Sequence, residues 1–205
     1  SAKHIHNYFF LKGLDAVRDG GIVAFITSQG VLNSEASSST RFMMMKQADL
    51  VSAIRLPNNL FVNEANTEVG SDLIILQKNE RKEQLSEEDK IFTQTTVQDG
   101  IGINRYLSQH PERIVHTSRK VDTDPYGKPA LVYQHEGGVS GIADDLRNML
   151  GEDFRNRLDM ERYVSATVQV VKSEPIKMES PKVETPKETQ QPIVEQPKPI
   201  NKPAE

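Results

Sequence analysis

The chain has no cysteine, which excludes a disulfide framework, a thiolate metal site and a cysteine nucleophile. It has no apolar run near the roughly 18 residues that a membrane span needs. Ser1 to His6 lacks the apolar core of a signal peptide. An excess of positive charge is missing too: 205 residues carry a formal net charge of −4 with a pI near 5.8. Nucleic-acid binding would then have to come from a local basic group or from sequence outside the chain. Together these absences predict a soluble, cytoplasmic protein. The chain opens on Ser, directly ahead of periodic apolar sequence, and its start reads as a cut in a longer protein. Its length suits one domain of ordinary size with additional segments.

What is present is concentrated between Val51 and Lys78. Two β-branched apolar runs, VSAIRL and SDLIILQ, have the length and composition of strands. The polar loop between them opens with Leu56-Pro57-Asn58-Asn59-Leu60-Phe61. A large aromatic among asparagines is costly to leave in water unless it packs or binds. That pattern predicts a ligand-facing loop at the end of a sheet.

Upstream, Ile5, Tyr8, Phe9, Leu11, Leu14 and Val17 recur at helical spacing, predicting a helix over His4 to Arg18 that Gly20-Gly21 stops. IVAFIT (Ile22 to Thr27) reads as a short strand covered on both faces. The Ser-rich stretch from Asn33 to Thr40 reads as a loop. Arg41 to Ala48 reads as a second helix with Met43-Met44-Met45 against the sheet. This order belongs to an open α/β sheet, with the last two strands pairing antiparallel as an edge hairpin. Three strands and two helices make the C-terminal half of a doubly wound, Rossmann-like sheet, and the face left for the other half should be apolar.

Asn79 to Lys90 is a charge-dense surface linker. Beyond it, a short helix is expected near Ile103 to Gln109 and short strands near Arg113 to Thr117 and Ala130 to Tyr133. Asp124-Pro125-Tyr126-Gly127 supplies the turn between those strands. Ser140 to Tyr163 is helical, with Ile142, Leu146, Met149, Leu150, Phe154 and Leu158 on one face and a break at Gly151. From Lys172 onward lie seven of the eleven prolines, no aromatic residue and equal numbers of Lys and Glu. Such a segment cannot offset its ordering entropy and predicts a disordered tail. The expected divisions are 1–78 (partial α/β domain), 79–137 (linker and weak β region), 138–167 (helical) and 168–205 (tail), the segments after 78 adding a small α+β region to the sheet.

Several residues carry candidate chemistry. Arg113, Arg119 and Lys120 could neutralise phosphates if they share one hairpin face, the alternative being an ordinary solvated face. Thr67, Glu68 and Asp72 cluster around Gly70, where loop closure or capping outweighs a catalytic carboxylate pair. His4 and His6 have no third ligand nearby, so no metal is expected. No Ser–His–Asp series or phosphate loop can be assembled.

The ordered series HNYFFLKGLDAVRDGG, IVAFITSQGVLNS, LPNNLF and TEVGSDLIILQK resembles the C-terminal half of the catalytic domain of adenine-specific DNA methyltransferases. The likeness is to the modification subunits of type I restriction systems and to methylase–helicase proteins of Bacteroides-type mobile elements. It covers Ile5 to Lys78, about a third of the chain. The resemblance implies an S-adenosylmethionine-dependent reaction on the exocyclic amine of adenine, with DNA as partner. It also implies a missing N-terminal half of the domain, and a helicase domain or specificity subunit as further partners.

By the same resemblance Phe61 contacts the extruded adenine, with Asn58 and Asn59 beside it; otherwise Phe61 anchors the loop on Leu56 and Leu60. The two asparagines could bond phosphate or, by turn chemistry, the loop's own backbone. Tyr8 and Phe9 are candidates to line the cofactor, although core positions suit them better. The family's Gly-rich cofactor turn and its Asn/Asp-Pro-Pro-aromatic tetrapeptide are absent. Gly20-Gly21 and Gly137-Gly138 stand in the wrong context for the former. No catalytic residue is therefore assigned within the chain, and the chain alone is not expected to methylate. The rival readings are a non-catalytic interaction module on a methyltransferase remnant, and a methyltransferase of the same fold acting on RNA or on protein glutamine.

Overall fold

Runs rich in Val, Ile and Leu form the central sheet: β1 (Ile22–Ser28), β2 (Ala48–Leu56) and β3 (Ser71–Lys78). The structure, a computed structural model, describes residues 5–124 and 127–165. The Pro/Lys/Glu-rich tail, His4 and the Pro125-Tyr126 step lie outside them. β2 and β3 pair antiparallel as expected, but β3 is central and not part of an edge hairpin. The strand order is β1-β3-β2, with β3 antiparallel to both neighbours. β1 and β2 therefore run in the same direction. The outer side of β2 is taken by Ile114–Val115: Arg55 and Ile114 form a parallel bridge, and Val115 N donates to Arg55 O at 3.0 Å. Among the described residues no strand pairs with the outer edge of β1.

A register shift between Leu50 and Ser52 marks a bulge in β2. One extra residue exchanges the two faces of a strand. Leu50 and Ala53 consequently join one core with Ile74 and Leu76, whereas Ile54 and Leu56 join a second with Ile142. The first core lies under α1 (Ile5–Ala16) and α3 (Ser38–Gln47); the second lies under α7 (Gly138–Asn156). The result is a mixed α/β architecture with helices on both faces.

α1 turns inward only part of the face its spacing suggests: Leu14 is buried and Leu11 and Val17 pack against the core, but Ile5, Tyr8 and Phe9 are exposed. Asn7, Phe10 and Leu14 are buried, while Tyr8 and Phe9 are 56% and 53% exposed. The cause is the approach at Gly13, where a Cβ would come within 3.2 Å of Val23 and 3.3 Å of Phe25. Phe10 then packs edge-on against Phe25, ring centroids 5.1 Å apart. Nor is β1 covered on both faces. Ala24 and Ile26 are exposed, Ile26 by 57%, because α7 reaches only the β2 side of the sheet. Gly20 does end the segment after α1 with φ +73°, a conformation that favours glycine.

The Ser-rich stretch is helical rather than a loop: α2 (Gly30–Asn33), a 3-10 turn at Glu35–Ser37, then α3. Arg41 explains this. Its buried guanidinium donates to Val31 O, Ser34 O, Phe92 O, Thr93 O and Thr95 Oγ1 at 2.8–3.1 Å, winding the stretch around one cation. Burial lowers its pKa to about 10, with Glu35 opposing, so it stays charged at neutral pH. Met44 and Met45 are buried as expected, but Met43 is exposed.

α4 (Val62–Ala65) follows the loop after β2. The charged segment 79–90 lies largely at the surface, as expected, and is pinned there by its own ion pairs. Lys82 reaches Asp89 at 2.7 Å and Asp49 at 3.2 Å, and Ser86 with Asp89 forms a capping box for α5 (Glu87–Thr93). An unanticipated hairpin, β4 (Thr95–Gln98) with β5 (Ile101–Asn104), turns on Asp99-Gly100, both at positive φ. α6 (Arg105–Gln109) matches the expected short helix. The last hairpin joins β6 (Ser118–Thr123) to β7 (Pro129–Gln134), so the strand expected at Arg113 to Thr117 lies several residues later. α7 runs through Gly151 without a break and ends at Asn156. The interruption comes at 157–159, ahead of a helical turn over 160–165.

Candidate functional site

In open α/β sheets ligands bind at the carboxyl ends of parallel strands. Here the parallel pair is β1 and β2, and their carboxyl ends lead into Ser28-Gln29-Gly30 and Leu56 to Phe61. A cleft of about 360 Å³ opens beside the end of β1. Gln29, Val69 and Gly70 form its floor, and Ile101, Lys128 and Pro129 come from the two hairpins. That volume lies at the lower end of the range for small-ligand pockets.

Beneath the cleft is a fully buried ion pair, Arg55 with Asp72. Arg55 Nε donates to one carboxylate oxygen of Asp72, and Nη2 lies 3.3 Å from the other. Nη2 also donates to Asn33 Oδ1 at 2.9 Å, and Nη1 to Gln29 Oε1 at 3.4 Å. Burial pushes the Asp72 carboxyl up from its ordinary value, and the Arg55 charge and hydrogen bond oppose this. Such a pair is expensive to bury and adds little net stability. Its geometric effect is clear: one cation ties the ends of β1, β2 and β3 together. Gly70 completes the arrangement, because a Cβ there would collide with the side-chain amide of Gln29.

The loop after β2 is anchored on β7. Asn58 Oδ1 accepts from Tyr133 N at 3.0 Å. Asn59 makes a two-bond pair with His135, donating to its carbonyl and accepting from its N–H, both at 3.1 Å. Both asparagine side chains thus bond the backbone of the β7 strand and the residue after it, not their own loop. Phe61 is half-buried in the 3-10 turn Asn58–Phe61, while Leu56 and Leu60 pack in the second core. Phe61, Asn58 and Asn59 lie together, but none of them lines the cleft at β1.

The basic residues do not share a face. Arg119 and Lys120 are consecutive in β6 and so project to opposite sides, while Arg113 lies in the 3-10 turn Pro111–Arg113. Each meets a carboxylate: Arg113–Asp153 at 2.8 Å, Arg119–Asp99 at 2.9 Å and Lys120–Asp122 at 2.6 Å. In the last pair the hydrogen bond raises the Lys120 pKa and lowers that of Asp122. Tyr8 and Phe9 sit on the outer face of α1, away from the cleft. Of the cluster around Gly70, Asp72 closes neither a loop nor a cap but pairs with Arg55, and Thr67 and Glu68 line a separate shallow recess with Asn58. Among the described residues no group of three His, Asp or Glu side chains is placed to hold a metal ion. No helix there is long and apolar enough to cross a membrane.

The two glycine pairs differ in their surroundings: Gly20 and Gly21 are packed against backbone, whereas Gly138, at φ +58°, has nothing within 4 Å of where a Cβ would stand. Gly20 lies at the opposite end of β1, its N–H bonded to Lys78 O and its α-carbon against the Arg162 backbone. Gly137 and Gly141 pack against His135, whose Nδ1 accepts from Gly137 N and whose Nε2 faces Asp145 at 3.2 Å.

Arg55, Gln29 and Asn33 were not singled out in the sequence. An arginine inside the apolar run VSAIRL was the available signal, since a charge in a buried strand requires a partner. A family model described as N-6 DNA Methylase matches residues 2–130. No curated protein and no solved structure matches the chain.

Proposed function

The chain belongs to the N-6 DNA methylase family, and from that premise we propose that it forms the C-terminal part of an S-adenosylmethionine-dependent adenine methyltransferase sheet. One observation carries the reading. β3 lies antiparallel between parallel β1 and β2, the outer edge of β1 is unpaired among the described residues, and Ile26 beside that edge is bare. An unpaired, apolar-flanked edge is a template for further strands. The Rossmann-like remainder of the domain would add there, bringing the cofactor site and the catalytic tetrapeptide that this sequence lacks. In this reading Phe61 is a wall of the target-base pocket, and Asn58 and Asn59 hold that wall in place.

Within the family, the likeness of the ordered series from Ile5 to Lys78 supports a reading of the chain as akin to type I modification subunits and mobile-element methylase–helicases. A specificity subunit or helicase domain would then choose the DNA site. Extrusion of the base costs a few kcal/mol, which one wall alone cannot recover. The isolated chain therefore does not methylate.

The test is transfer of a labelled methyl group from S-adenosylmethionine to adenine N6 in DNA. It compares the 205-residue chain with the same chain extended by the coding sequence preceding it. Transfer by the extended protein only is the expected result. Micromolar binding of S-adenosylmethionine to the isolated chain, or an extended protein inactive on DNA but active on RNA, would overturn the reading.

A further inference from the structure

We propose that the open edge of β6 joins two copies of this chain, strand to strand and antiparallel, with Val121 on the two-fold axis and Lys120 of each copy opposite Asp122 of the other. The inference does not rest on the enzyme reading, and its edge is not the one on β1 that would take further strands. β6 has β7 on one side and, among the described residues, no strand on the other. All six of its residues are exposed, Val121 by 58%. The far side of the same hairpin is closed, because Asn58 and Asn59 bond the backbone at Tyr133 and His135. An unpaired strand edge is a template for another chain.

The register follows from which backbone groups point outward. Asp124 N donates to Lys128 O at 2.7 Å, toward β7, and Thr123 stands opposite Pro129, which has no N–H to give. Successive residues of an antiparallel strand alternate in direction, so Arg119, Val121 and Thr123 turn their N–H and C=O groups to the open side. Pairing Val121 with the second copy's Val121 sets Arg119 opposite Thr123, and Lys120 opposite Asp122 on both sides of the axis. Those flanking positions are non-hydrogen-bonded pairs, where facing side chains come closest. A slip of two residues in either direction would instead face Lys120 with itself or Asp122 with itself, and like charges directly opposite are destabilising. Charge complementarity therefore selects a second copy in one register. Within one chain Lys120 already meets Asp122 at 2.6 Å, and Asp122 Oδ1 accepts from Thr123 N at 2.8 Å. Pairing exchanges the first contact for the same one across the axis and frees Thr123 N for the second copy's Arg119 O. Arg119 keeps its own partner, Asp99, on the other face of the hairpin.

The test is sedimentation velocity on the 205-residue chain over a range of concentrations, with NMR on a mixture of labelled and unlabelled chains. A monomer–dimer equilibrium that weakens with salt is expected. An NOE between the α-protons of Lys120 and Asp122 on different chains is expected with it. Lys120→Asp and Asp122→Lys should each weaken self-association by about tenfold, since each sets like charges opposite on both sides of the axis. An equimolar mixture of the two variants should regain the parent's affinity as a mixed dimer. Val121→Pro removes an N–H that faces away from β7, so the hairpin keeps its ladder while the dimer is lost.

A chain that stays monomeric at millimolar concentration overturns the proposal and leaves Lys120 and Asp122 as guards of an exposed edge. A dimer that survives Val121→Pro overturns it too and assigns association to another surface, the edge of β1 first. So does a mixture of the two charge variants that binds no more tightly than either alone. If Val121→Pro melts early, the mixed-variant measurement decides by itself.

Discussion

Asn58→Ala and Asn59→Ala separate a structural tether from a DNA contact. The N–H of Tyr133 points at Asn58, and in an antiparallel pair successive N–H groups of β7 point alternately toward β6 and away from it. Tyr133 N therefore depends on the Asn58 oxygen, at 3.0 Å, rather than on the hairpin. Removing that oxygen leaves a buried donor unpaired, which costs about 1–3 kcal/mol. Hydrogen exchange at Tyr133 should then accelerate by roughly 5- to 150-fold, while the amides that face β6 change far less. Asn59→Ala removes two bonds at 3.1 Å from a half-exposed site, and should lower the free energy of urea unfolding by about 2 kcal/mol. The two losses should fall short of additivity, since both anchor the same segment. Unchanged Tyr133 exchange in Asn58→Ala would refute the tether. If stability holds in both variants while methylation by the extended enzyme collapses, the asparagines act on the substrate instead.

Gly70→Ala should destabilise the chain by about 1–3 kcal/mol through the clash with Gln29, and adding Gln29→Ala should restore most of the melting temperature; lack of rescue would place the strain elsewhere. Arg41→Met removes five hydrogen bonds from one buried cation and should cost about 3 kcal/mol or more, seen as a fall in melting temperature of roughly 6–12 °C. Because the folded-state pKa of Asp72 is raised, the folded chain keeps that proton where the unfolded chain has lost it. Its contribution to stability is full below the ordinary carboxylate value and is lost as pH rises through the folded value. The stability of the parent relative to Asp72→Asn should therefore increase as pH falls; a relative stability that declines instead would show that the Arg55 charge dominates. In the extended enzyme Phe61→Ala should lower methylation more than melting temperature, and the reverse pattern would make Phe61 only an anchor.

The three central strands, the helix ahead of Gly20 and the family likeness were legible from local pattern, because β-branched runs and glycine stops act over a few residues. Orientation was not. Spacing along α1 allowed an inward face with Tyr8 and Phe9 beside Leu14, and the close approach at Gly13 set Phe10 inward in their place. The candidate basic face dissolved for a similar reason: Arg119 and Lys120 sit side by side in the sequence and on opposite sides of β6. Asn58 and Asn59 looked like turn residues because their partners, Tyr133 and His135, lie about 75 positions further along the chain.

Local pattern was enough to read a mixed α/β chain of N-6 DNA methylase type. The order β1-β3-β2, the unpaired edge of β1, and the placing of Arg55, Asp72, Asn33 and Gln29 beneath one cleft were decided only by the tertiary structure. The physical reason is reach. Local propensity sets what each segment becomes, but the partner of a buried charge and the occupant of a strand edge depend on residues brought together from far along the chain.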